Sequence, residues 1–207
     1  MLRSSTTPYQ GRCAVHGGRN SLGTKFQGNT LITTFNELRF FTGIKTWASQ
    51  PFGYCTNLTS VHLPEHVTTL ISGMFRSDSR LSNVELPPKM TTFGDWCFHS
   101  CALTEIDMPA TVTTINTGAF YYTKLTAVTI PANVTAIGNS AFQMGVNTLT
   151  EIIFLGSTPP TVGNNGLGNN LSFPIYVPDD AVEAYKAALT TNNYASRVKP
   201  ISERPAS

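Results

Sequence analysis

The chain has 207 residues, 41% of them hydrophobic and 13% charged, with a formal net charge of +2. That length serves one ordinary domain or one solenoid with caps, and the charge is too small to draw nucleic acid or an anionic membrane. No stretch reaches the ~20 apolar residues of a membrane span, and the opening MLRSSTTPYQGRC lacks the apolar run of a secretory signal.

Residues 1–34 are rich in Gly, Ser and Thr, carry Arg3, Arg12, Arg19 and Lys25, and contain no acid. They read as a solvated, partly irregular leader or cap. Residues 35–41 read as a short helix or irregular turn laid over the first coil of a repeat region.

Residues 35–155 hold five repeats. Each has the form Leu-x-x-[Val/Ile]-x-[apolar], led by Leu58, Leu81, Leu103, Leu125 and Leu149, at steps of 23, 22, 22 and 24 residues. Phe52, Phe75, Phe98, Phe120 and Phe142 run in phase with them. A third column, Val67/Leu70, Met90/Phe93, Val112/Ile115 and Val134/Ile137, comes just after Pro64, Pro87, Pro109 and Pro131. Three columns with one period are the mark of stacked repeats.

Within a repeat, Val61 and Leu63 alternate with Ser60 and His62, so this piece is a strand with one buried face. Proline has no N–H to donate and ends it. The Val-x-x-Leu piece re-enters the core, and a turn then delivers the Phe inward. One such coil cannot bury its own apolar side, so successive coils must stack, strands ~4.8 Å apart. The result is a mainly β repeat solenoid with a buried aromatic spine.

Residues 156–207 read as the closing cap. Ile175-Tyr-Val177 is a strand stopped by Pro178. Asp179 or Asp180 then caps a helix at about residues 180–189, with Glu183 in capping-box spacing. The segment 163–170 is a loop by composition.

The run Pro131-Ala-Asn-Val-Thr-Ala-Ile-Gly138-Asn-Ser-Ala-Phe142, together with Phe98-His-Ser-Cys101-Ala-Leu103-Thr-Glu-Ile106, resembles the BspA-type leucine-rich repeats of bacterial surface proteins. The resemblance implies a right-handed leucine-rich-repeat coil of short strands and turns, an extracellular or cell-surface location, and an association with adhesion.

Candidate sites are few. Cys55 and Cys101 stand three residues after a spine Phe, and Cys97 stands just before one, all positions for small packed side chains. Asp95, Cys97, His99 and Cys101 lack zinc spacing, so no metal site is expected. His16, His62, His66 and His99 lie in separate settings without a nucleophile motif. Neither a catalytic residue nor a cofactor is implied.

The outward strand residues form two columns, Ser60, Asn83, Glu105, Ala127, Glu151 and His62, Glu85, Asp107, Thr129, Ile153. Glu85 and Asp107 are thereby expected as cross-strand neighbours of like charge. This face reads either as solvated, with His62 compensating, or as a site where Glu85, Glu105 and Asp107 receive a cation or a basic partner. Tyr121 and Tyr122 add the residue type that anchors interfaces. The chain is thus expected to be a monomeric, non-enzymatic module that binds a protein or glycan through its repeat face. The alternative is a spacer segment of a larger surface protein with no ligand of its own.

Overall fold

The computed structural model describes residues 21–144, 148–169 and 172–206. Most of the leader, with Cys13 and His16, lies outside the described residues. Short strands succeed one another along the chain: β1 (Ser21–Leu22), β2 (Thr34–Phe35), β3 (Thr46–Trp47), β4 (Ser60–His62), β5 (Thr69–Leu70), β6 (Asn83–Glu85), β7 (Thr92–Phe93), β8 (Thr114–Ile115), β9 (Ala127–Ile130), β10 (Ala136–Ile137), β11 (Glu151–Phe154), β12 (Thr161–Val162), β13 (Ile175–Val177) and β14 (Val198–Pro200). Among the described residues there is one α-helix, α1 (Val182–Ala188), in the closing segment.

The coils stack as a solenoid with three sides. The back is one parallel sheet in the order β5-β7-β8-β10-β12. The front holds β2-β4-β6 and, separately, β9-β11-β13-β14. On the third side, turn N–H groups donate to the next coil: Phe75 N to Cys97 O at 2.8 Å, Phe98 N to Ala119 O at 2.8 Å, Phe120 N to Ala141 O at 2.9 Å.

The spine is continuous. Successive ring centroids are 5.5 Å apart for Phe52–Phe75 and Phe75–Phe98, 5.6 Å for Phe98–Phe120 and 5.2 Å for Phe120–Phe142. It also runs past the spacing-based repeats at both ends. Phe26 stacks on Phe52 at 5.6 Å, and β2 pairs with β4, so residues from Ser21 onward form a further coil. At the other end, Phe142 N donates to Gly166 O as Phe120 N does to Ala141 O, and Leu167 is fully buried. The segment 163–168 is therefore a coil turn of its own. Both outer coils depart from the pattern, one by longer spacing and one by a Leu in the spine.

Threonine explains the low charge content. Thr91 Oγ1 donates to Thr68 O, Thr113 Oγ1 to Thr91 O, Thr135 Oγ1 to Thr113 O and Thr161 Oγ1 to Thr135 O. Each hydroxyl satisfies a carbonyl one coil back, so these residues stitch coils together as well as suiting extended backbone. Glycine serves close approach: a Cβ on Gly94 would collide with the Leu70 carbonyl, and one on Gly138 with the Thr117 amide.

Residues 36–40 form a short 3₁₀ helix over the first coils, with Leu38 fully buried. At the C-terminal end, β13 and β14 extend the front sheet, and α1 covers the last coil. Tyr185, on α1, packs on Phe154 at 5.1 Å and donates its hydroxyl to Gly156 O at 2.8 Å. No capping box forms: neither Asp179 nor Asp180 caps a helix with its side chain. Asp179 Oδ1 instead accepts from Ser202 N at 3.1 Å and holds the tail.

Candidate functional site

The front ladder breaks at the third coil. Residues 105–108 form no strand, and their main-chain N–H and C=O groups enter no hydrogen bond among the described residues. Among the described residues, β6 is paired only with β4, and β9 only with β11. The back sheet runs through the same coil unbroken, from Thr92 opposite Thr114 to Thr114 opposite Ala136.

The cause is legible in the side chains. Continuing the β4–β6 register by one coil would set Asp107 opposite Glu85, with Glu105 two residues before it. Like charges directly opposite destabilise a strand pair. The expected cross-strand contact between Glu85 and Asp107 therefore does not form. Glu85 turns the other way: its Oε2 lies 2.7 Å from His62 Nδ1. That distance makes Nδ1 the donor, so the Arg39 guanidinium, 3.4 Å from the same nitrogen, is a charged neighbour rather than its hydrogen-bond donor.

The break opens a groove of about 840 Å³. Val84, Ile106, Met108 and Leu155 supply apolar wall, and Glu105 and Asp107 supply the acids. Both acids are exposed and have no cationic partner among the described residues. Glu151, farther along the same face, is already taken: Arg204 clamps it at 2.7 and 2.9 Å, and this holds its carboxyl below the usual range. Ile153, expected on the outside, is covered by the added strand β13 through its partner Tyr176.

Tyr121 and Tyr122 do not belong to this face. They come directly after spine Phe120 on the turn side, where Tyr121 stacks on His99 at 5.4 Å and meets Trp96 at 5.3 Å, with Tyr122 4.4 Å from Tyr121. Burial, then the Tyr122 hydroxyl, raises the Tyr121 pKa, while burial and the Arg76 charge lower that of His99. His99 and Tyr121 share one column, each directly after its spine Phe, so their stacking follows the repeat period, whereas Trp96 and Tyr122 stand at other offsets.

The cysteines are packing groups. Burial pushes the Cys55 thiol up to about 11, and raises those of Cys97 and Cys101 as well. The Cys55 and Cys101 thiols donate to Phe26 O and Phe75 O one coil back. Among the described residues, no group of three His, Cys, Asp or Glu side chains converges to hold a metal. Between Cys55 and Cys101 in this column stands Asp78, fully buried, with Oδ1 accepting from Cys55 N at 2.8 Å and Oδ2 unpartnered.

Residues 32–171 match the BspA-type leucine-rich repeat region in six copies. The chain belongs to this family. Six copies are one more than the five read from the spacing of the Leu and Phe columns. Among solved structures, the pneumococcal vaccine antigen PcpA shares the BspA-type chain's fold at a TM-score of 0.56, with 18% identity over 81% of this chain and 55% of its own. A leucine-rich repeat protein from Bacteroides ovatus matches at 22% identity over 65% of this chain and 43% of its own, with a TM-score of 0.45. A leucine-rich cell surface protein from Faecalibacterium prausnitzii matches at 20% identity over 72% and 59%, with a TM-score of 0.43. The BspA-type chain thus spans about half the length of the solved proteins it matches. No curated protein matches it significantly. Among the described residues, no helix is long and apolar enough to cross a membrane.

Proposed function

We propose that this chain is a non-enzymatic binding module of a bacterial surface protein, engaging a protein partner through the front of its third coil. The observation that carries this reading is the break in the front ladder and the groove it opens. A repeat unit serving only as a spacer gains nothing from a missing set of inter-coil hydrogen bonds, and the back and turn sides of this solenoid keep theirs. Solenoids characteristically bind along extended repeat surfaces. Membership of the BspA-type family supports a surface location and an adhesive role.

The test is direct binding of the purified chain to a panel of host matrix proteins and to a glycan array, alongside the Ala127→Trp variant. Ala127 lines the groove, so the bulky ring fills it. The reading expects at least one protein ligand, and loss of that ligand in Ala127→Trp with the melting temperature preserved. Binding to glycans alone, or protein binding indifferent to the filled groove, contradicts it.

A further inference from the structure

Resting on that front-face reading, we infer that the groove takes an extended peptide segment carrying Lys or Arg, which pairs its main chain with residues 105–108. Three kinds of recognition chemistry meet there, and each selects a different part of such a segment.

The first is the main chain. The N–H and C=O groups of Glu105, Ile106, Asp107 and Met108 form no hydrogen bond among the described residues, although the equivalent groups of Ala127 to Ile130 pair with β11. Unpaired strand groups beside an open groove are a template for strand addition, in which an incoming extended peptide supplies the missing hydrogen bonds. A glycan or a folded helical surface offers no matching row of donors and acceptors.

The second is apolar. Val84, Ile106, Met108 and Leu155 line the groove, and Leu155 is 51% exposed. An extended segment sends alternate side chains to one face, so one set of its residues covers this wall.

The third is charge. Glu105 and Asp107 are two residues apart, so the period of an extended chain sets them on one face. The other acids of the front have partners within the chain, Glu85 in the His62 ring N–H and Glu151 in the Arg204 guanidinium. The two that line the groove are left without a cation among the described residues. Basic side chains on the incoming strand satisfy them and remove the repulsion that parts this coil from β6. The peptide therefore replaces a pairing that the chain's own sequence forbids.

The probe is a heptapeptide alternating valine and lysine, titrated against the full chain by fluorescence anisotropy and monitored by amide hydrogen exchange. Three comparisons run beside it: the same peptide with glutamate in place of lysine, the same peptide N-methylated at alternate residues, and the double variant Glu105→Gln/Asp107→Asn. Expected are saturable binding with new protection at residues 105–108, affinity reduced roughly tenfold or more by the double variant, and weakening as salt rises. The glutamate and N-methylated peptides should fail to bind. No saturable binding of the lysine peptide, equal binding of the glutamate peptide, or unchanged affinity after N-methylation overturns the inference. If those results come while a matrix protein still binds and is lost in Ala127→Trp, the front-face reading stands and only the strand-addition inference falls.

Discussion

Phe75 and Phe98 come from successive coils and stack with ring centroids 5.5 Å apart and planes 7° from parallel. Both are fully buried. That stacking turns a period in the sequence into a contact in space, and it fixes where every outward residue of the front face sits.

The spine should be energetically dominant. Phe98→Ala removes a ring held between Phe75 and Phe120 and leaves a cavity that the stacked backbone resists closing. The expected loss is about 3–5 kcal/mol, read as a fall in the denaturant midpoint. An unchanged midpoint would show that the column carries little of the stability.

Charge reversal at the break should close it. Asp107→Lys replaces the repulsion toward Glu85 with attraction, and cross-strand pairs of opposite charge contribute roughly 0.2–1 kcal/mol. A small rise in melting temperature is expected, together with loss of the groove. A fall in stability would mean that the break has another origin.

The columns of the sequence made the spine and the strand-turn order legible, because each repeat places the same residue type at the same offset. Phe26 and Leu167 escaped, since one lies at a longer spacing and the other is not aromatic. The opposition of Glu85 and Asp107 was visible from the register. Its consequence was not, because periodicity assigns neighbours without deciding whether two coils part or hold. In the turn-side cluster, His99 and Tyr121 share the column after the spine Phe and were within reach of the period, while Trp96, two residues before Phe98, was not.

Asp78 should give stability a pH slope. Burial raises its pKa from 3.8 to about 8, so the folded chain keeps the proton that the unfolded chain has released. The folded state then binds more protons across that interval, and stability falls as pH rises from about 4 to about 8. Asp78→Asn keeps an acceptor for Cys55 N and cannot ionise. Denaturant midpoints between pH 5 and pH 8 should decline for the natural chain and lie flatter for the variant. Parallel slopes would place the titrating group elsewhere. Glu151, held low by Arg204, acts at the acid end and in the opposite sense, its stabilisation lost as pH falls.

Residue-resolved amide hydrogen exchange on the unliganded chain tests the broken front ladder most directly. The amides of Glu105, Ile106, Asp107 and Met108 should exchange nearly as fast as an unstructured peptide. Those of Ile152 and Ile153 in β11 and of Ile115 in β8 should be strongly protected in the same sample. Protection of the four amides equal to that of β11 would mean that the third coil is paired like its neighbours, and the groove with its binding role would be contradicted.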